Sequence, residues 1–276
     1  MASTNSRDCI ARFHSDVRAF AAAARRAAPG GAAAPPVPSC PGWSVSDLVV
    51  HLASVHRYVA RLLRERLTEQ PDHSDLSFLL LPADTDGWPH PDNAPNHAPL
   101  PETLLDWFMD GAAALEELFR SSAPDEPVWS WAPDRTAGFW MRIQAIEAAV
   151  HRWDAENATG TALPVAPALA ADAVGQNFRV MAPFRRALRQ APPGSGECFR
   201  FRRTDGPDVW TVRFDGDTVL LGELAEEDGG PCDVELTGTA SDLMLFLWQR
   251  IPAGRLAGVT GDRDVLDRWF TLVPPV

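Results

Sequence analysis

WMRIQAIEAAVHRWDAE, residues 140–156, is the stretch from which both the fold and the chemistry are read. On a helix, Glu147 and His151 lie four residues apart and leave one face a turn from each other. Asp154 follows three residues later on nearly the same line. The apolar stripe Ile143, Ile146, Val150 and Trp153 runs beside that row, which places the row at the edge of a buried face. A carboxylate and an imidazole held there suit a divalent metal, zinc first, because zinc takes His nitrogen and Glu oxygen readily. Two ligands do not make a site, so the rest of the chain is searched for a third.

Upstream, three more segments carry helical periodicity. Ile10, Phe13, Val17, Phe20 and Ala24 recur at spacings of three and four over residues 4–27. His14 lies near that apolar face and reads as a packed, hydrogen-bonded core histidine. The stretch 28–41, rich in Gly, Ala and Pro, ends this helix. CPGWSVSDLVVHLASVHRYVARLLRER, residues 40–66, opens with a Pro41-Gly42 turn and a capping-box pattern, Ser44 with Asp47. Its seam is read as Leu48, His51, Val55, Tyr58 and Leu62, which turns His51 inward; a hydrogen bond to a neighbouring helix is the plain alternative to a ligand role. His56, about 140° further round, reads as a surface residue. A polar, Pro-rich stretch between Glu69 and Glu102 holds His73, Trp88, His90 and His97, and no role is assigned to them. A third helix spans residues 101–120, with Leu104, Trp107, Phe108, Leu115, Leu118 and Phe119 on its apolar side. Four such helices, none able to bury its stripe alone, make a four-helix bundle, an architecture that builds metal sites from facing helices. His51 with Glu147 and His151 would then supply three protein ligands and leave an open fourth position, the catalytic zinc pattern.

After residue 158 the character changes. A Gly/Pro linker and a helical stretch precede the β-rich runs CFRFRR, DVWTVRF, TVLLGEL and DVELTGT. Asp215-Gly216 signals a hairpin. ASDLMLFLWQR reads as a helix capped by Ser241, and VTGDRDVLDRWF as a further short helix. The fold class is α+β: a bundle over residues 1–158 and a small α+β domain over 159–276. At net charge −12 without a basic cluster, the chain is not a nucleic-acid binder. Its basic residues are all Arg, with no Lys. No apolar run reaches the roughly 20 residues of a membrane helix, and no signal-peptide core follows the N-terminus. The expectation is a cytoplasmic protein, monomer or homodimer. The four cysteines, Cys9, Cys40, Cys198 and Cys232, lack CxxC spacing and indicate neither a disulfide framework nor a thiolate zinc site.

The pair CPGWSVSDLVVHL and IEAAVHRWDAE, with VELTGTASDLMLFLWQRIPAG near the C-terminus, resembles the mycothiol-dependent maleylpyruvate isomerase family of actinobacteria. The resemblance implies a DinB-like bundle in which His51, Glu147 and His151 hold zinc or another divalent metal. It also implies mycothiol as thiol cosubstrate, a small-molecule substrate, and an active-site arginine from the second domain. By position in LWQR that arginine is Arg250, with Arg255 as the alternative. Asp154 reads either as an acceptor orienting a ligand histidine or as a solvated last-turn residue. The implied reaction is cis–trans isomerisation by reversible thiolate addition, with mycothiol S-transfer as the alternative. A non-catalytic binding module and a zinc hydrolase use the same residues without a thiol.

Overall fold

The computed structural model describes residues 5–72, 74–222 and 230–275, so His73 and the last two residues of the run TVLLGEL lie outside the described residues. The chain forms two compact units, Thr4–Leu163 and a second containing Pro164–Val276. The division falls five residues after position 158 because residues 159–163 fold back on the end of the fourth helix. Thr161 N and Leu163 N donate to the backbone and side-chain oxygens of Glu156, at 3.0 and 2.9 Å. Arg152 in turn donates to the carbonyl of Leu163 at 2.9 Å.

The first unit is built on four long helices: α1 (Ser6–Ala27), α2 (Val45–Arg64), α3 (Glu102–Ser121) and α4 (Ala137–Asn157). Their starts are set locally. Asn5 Oδ1 accepts from Asp8 N, and Thr136 Oγ1 from Phe139 N, each satisfying an orphan amide of a first turn. Ser44 and Asp47 form the reciprocal capping box their spacing predicts. The core between helices is aromatic: Phe13 meets Phe119 edge-on at 5.7 Å, and Phe20 tilts against Phe108 at 5.1 Å. Between α2 and α3, Arg57 lies 4.6 Å over the Trp107 ring and donates to the Trp107 carbonyl at 2.8 Å. Helix α4 is buried along most of its length, its stripe Ile143, Ile146, Val150 and Trp153 included.

Two expectations for this unit are corrected. The core line of α2 runs through Leu48, Leu52, His56, Val59 and Leu63, so His56 is fully buried rather than a surface residue. His51, Val55 and Tyr58 are half-buried on an adjoining face. The helix is apolar around most of its circumference, and periodicity alone admits both lines. His14 is hydrogen-bonded as expected, to Glu116 at 2.9 Å, but its side chain is about half exposed and not part of the core.

The long connection from α2 to α3 contains two short 3-10 turns, Ser77–Leu79 and Pro91–Asn93, and is tied down at several points. Trp88 Nε1 donates to Thr103 Oγ1 at 3.0 Å, and Trp107 Nε1 to the Leu79 carbonyl at 3.1 Å. Asn96 donates its backbone N–H and its side-chain amide to Asp47, at 3.0 and 2.6 Å. His97 exchanges hydrogen bonds with Ala34.

In the second unit α5 (Pro167–Gln176) opens on a proline, continues through the π-helical turn Asn177–Met181, and ends in α6 (Ala182–Leu188). Five described strands follow in the order β3-β2-β1-β4-β5: β1 (Gly194–Arg203), β2 (Val209–Gly216), β3 (Thr218–Gly222), β4 (Val234–Gly238) and β5 (Gly258–Gly261). All neighbours are antiparallel except β1 and β4. Asp215 pairs with Thr218, so the β2–β3 hairpin turns on Gly216 and Asp217, with Gly216 at φ 54° as a two-residue turn requires. Helix α7 (Ala240–Leu247) is capped by Thr239, whose Oγ1 accepts from Asp242 N at 3.1 Å. Ser241, expected as the cap, instead accepts from Val165 N. Strand β5, read as part of a terminal helix, precedes α8 (Arg263–Asp267) and α9 (Trp269–Leu272). Trp269 sits among Phe178, Phe199, Phe201 and Phe214 at the centre of this unit's core. Cys198 and Cys232, 34 residues apart, are joined by a disulfide that the spacing did not indicate; it links β1 to the segment entering β4. Among the described residues, no helix is long and apolar enough to cross a membrane.

Candidate metal centre

Helices α2 and α4 bring His51, Glu147 and His151 together. One ligand atom from each lies within 4.8 Å of the others. Glu147 Oε2 is 3.7 Å from His51 Nε2 and 3.6 Å from His151 Nε2. Both distances are long for a hydrogen bond. They are near the roughly 3.4 Å edge of a tetrahedron whose centre lies about 2.05 Å from nitrogen and oxygen ligands. The histidine rings stand 5.0 Å apart at 75°, and Trp43 flanks His51 at 5.1 Å. Glu147 is on α4, the most enclosed helix of the bundle, yet its side chain keeps 28% exposure toward the shared edge. Two imidazoles and one carboxylate form a His2Glu donor set, which suits a divalent ion such as zinc with a position left for a further ligand.

Charge at the centre follows from its partners. Burial by itself would raise the Glu147 pKa, but the facing His151 and His51 hold it well below the usual carboxylate range. Burial would lower His151, but Asp154, Cys40 and Glu147 together hold its pKa well above 6.5. Without a metal the cluster therefore holds an ionised Glu147 beside a His151 that favours its protonated form; an ion bound at Nε2 would take the place of that ring's second proton.

Asp154 is fully buried, not solvated, and gathers three donors. It lies 2.9 Å from His151 Nδ1, 2.7 Å from Ser39 Oγ and 3.3 Å from Cys40 Sγ. An ionised carboxylate can only accept, so Nδ1 is the protonated nitrogen of His151. In the neutral ring the lone pair then sits on Nε2, the atom beside Glu147. This is the carboxylate–histidine arrangement that orients metal ligands. Ser39 and Cys40 were not found by the reading of the chain. They lie about 114 residues from Asp154, in the segment entering α2, and no local spacing marks them. Cys40, His151 and Asp154 also group within 4.8 Å. Because His151 Nδ1 is committed to Asp154, that second group supports the first centre.

A cavity of about 270 Å³ opens beside His51, walled by Trp43, Val50 and Val55 and by Pro89 and Ala94 of the long connection. Pro89 lines the cavity, while its neighbour Trp88 packs on Trp107 at 5.2 Å. His90 and His97 are absent from the histidine group. Arg250 lies in the second unit just beyond α7, where its Nη1 donates to the Trp248 carbonyl at 2.8 Å. Arg255 is exposed in a 3-10 turn of that unit.

Residues 7–156 match the family described as the mycothiol maleylpyruvate isomerase N-terminal domain, and residues 161–268 match the MDMPI C-terminal domain. No curated protein matches the chain. Two crystal structures of a mycothiol-dependent maleylpyruvate isomerase, one of them a histidine-to-alanine mutant, superpose on it with TM-score 0.55 and 12% identity. They cover 93% and 94% of this chain and 95% of their own. At that identity the likeness is one of fold.

Proposed function

The chain belongs to the mycothiol maleylpyruvate isomerase family, and from that premise we propose that it is a mycothiol-dependent metalloenzyme of the cytoplasm acting on a small electrophile. The observation that carries the reading is the convergence of His51, Glu147 and His151 on one point, with Asp154 fixing the ring of His151. A divalent ion held by these three, with an open position, would supply a coordinated thiol as thiolate at neutral pH, where a free thiol of pKa ~8.5 is mostly protonated. Glu147 offsets one of the ion's two charges, and the imidazoles add none. Asp154 keeps the His151 proton on Nδ1, away from the site.

Two outcomes follow from thiolate attack. In isomerisation, a sulfur–carbon bond forms at a cis double bond, the remaining single bond rotates, and the same sulfur–carbon bond breaks to give the trans product. In S-transfer the new bond stays and a leaving group departs or a proton is taken up. Arg250 is proposed to pair with a substrate carboxylate, for which its planar guanidinium fork is suited. Arg250→Ala should raise KM for a carboxylate substrate while leaving metal content unchanged.

The testing experiment is calorimetric titration of the zinc-loaded protein with mycothiol, beside His51→Ala, Glu147→Ala and His151→Ala. Stoichiometric binding, lost together with zinc in each variant, is the expected result. Full zinc occupancy in any variant removes that residue from the ligand set. Absence of mycothiol binding to fully metallated protein removes the thiol from the reading.

A further inference from the structure

We propose that the cavity beside His51 is a subsite for an uncharged, apolar portion of the electrophile, a single substituted ring or a short branched alkyl group, and that it selects against anions. The proposal rests on the metal–thiol reading above and names the substrate class for that same site.

Three observations carry it. The first is position: His51 itself lines the cavity, so an occupant lies directly against a proposed ligand of the reactive centre. The second is the wall. Trp43, Val50, Val55, Pro89 and Ala94 present carbon, Ser54 adds a single hydroxyl, and apart from His51 no basic side chain contributes. A substrate carboxylate placed there would lose its hydration without a cation in exchange. The third is Asp47. It also borders the cavity, and its two oxygens accept from Ser44 N and Oγ (both 2.8 Å) and from Asn96 N and Nδ2 (3.0 and 2.6 Å). Burial would raise its pKa, but these hydrogen bonds from Asn96 and Ser44 more than offset that and hold the carboxylate ionised. The wall thus carries a fixed negative charge that already accepts four hydrogen bonds and repels a second anion. The size agrees: a cavity of about 150 Å³ already takes benzene, and this one is about 270 Å³.

The same clasp explains how the specificity wall is held. Asn96 fastens the long connection to α2 through Asp47, two residues from Ala94. The connection therefore supplies one side of the specificity wall and α2 the other, while the proposed ligand set stands on α2 and α4.

The test uses the full zinc-loaded chain and two probes that share a phenyl ring and differ in charge, nitrobenzene and benzenesulfonate, followed by ligand-observed NMR with no thiol present. Nitrobenzene should bind at least about tenfold more tightly than benzenesulfonate. Val55→Trp, which fills the cavity, should weaken nitrobenzene about tenfold. Val50→Arg, which adds a cation to the wall, should erase or invert the preference, so the proposal does not depend on one variant folding. Equal or tighter binding of benzenesulfonate to the unmodified chain overturns the proposal, as does nitrobenzene binding untouched by both substitutions. Mycothiol calorimetry on the same preparations separates the two readings. Retained mycothiol binding in Val55→Trp supports an electrophile subsite, and its selective loss there overturns that assignment by making the cavity the seat of the thiol. Failure of mycothiol to bind the unmodified chain retires the thiol reading while the probe preference still stands or falls by itself.

Discussion

His56 makes the bundle's stability depend on pH in a way that one substitution should abolish. The residue is fully buried, edge-on to Phe13 at 5.1 Å and tilted against Phe108 at 5.5 Å. Neither ring nitrogen has a hydrogen-bond partner among the described residues. Burial above all, with the nearby His51, pushes its pKa from 6.5 to about 3. The folded state therefore refuses a proton that the unfolded chain accepts below about pH 6.5. Stability must fall as pH falls through that value, by up to about 1.4 kcal/mol per pH unit, until the folded pKa near 3 is reached. Between about pH 7.5 and pH 5 the integrated loss is about 2 kcal/mol from this one side chain. His151 titrates in the opposite sense. Its raised pKa contributes stability that is full below about 6.5 and is lost as pH rises through the folded value. A raw pH profile mixes the two, so the measurement is a difference. Urea unfolding of the chain and of His56→Leu, each in chelator and each followed by helical circular dichroism, gives two curves in which His151 and the second unit cancel. The gap should widen by about 2 kcal/mol in favour of His56→Leu over that interval. The variant should not be weaker even at about pH 7.5, because an unsatisfied buried polar atom costs about 1–3 kcal/mol. A gap constant to within about 0.5 kcal/mol would mean that His56 takes its proton in the folded state, and the argument from its burial would fail.

Three further outcomes are expected. Asp154→Ala should weaken zinc binding about 10–100-fold in chelator competition, because His151 loses the acceptor that fixes its ring; unchanged affinity would reduce Asp154 to a structural role. Ser44→Ala should cost about 1 kcal/mol in thermal or urea unfolding by removing one half of the capping box. Asn96→Ala should open the α2–α3 connection to limited proteolysis faster than the parent chain at an overall cost of about 1–2 kcal/mol, since the Asn96 Nδ2 bonds to the ionised Asp47 and to the His90 carbonyl disappear while the backbone N–H bond to Asp47 stays.

Most of the bundle is legible because its signals are local. Caps at Ser44 and the three-four spacing of residues 10–24 need no knowledge of neighbours, and the helices formed where they read. The grouping of His51, Glu147 and His151 is legible for a related reason: Glu147 and His151 share one helix, and one external partner remained. The long connection, the disulfide and the clamp on Asp154 were not legible, because each joins residues that only the tertiary fold brings together. Ser39 and Cys40 meet Asp154 across some 114 residues, and Cys198 meets Cys232 across 34. His56 was misread for a different reason. With Leu48, Val49, Leu52, Val55, Val59 and Leu62 spread around α2, the apolar pattern does not single out one face, and the lines through His51 and through His56 satisfy it equally.

α2 presents His56 to an aromatic core and His51 to the shared edge with α4, five residues on from one another in a rigid helix. Any rotation of α2 that carried His51 away from Glu147 would drag His56 from its packing against Phe13 and Phe108. α4 is pinned in the same way, by its buried stripe on one side and by Asp154, Ser39 and Cys40 on the other. The three grouped side chains are thus held by two helices packed into the bundle core, which is what a preorganised site requires. The cavity wall contributed by Pro89 and Ala94 hangs instead on a connection fastened by side-chain hydrogen bonds, with Asn96 to Asp47 as the chief clasp. Substitutions in that connection should therefore alter which electrophile is accepted without disturbing metal content, whereas substitutions under α2 or α4 should disturb both.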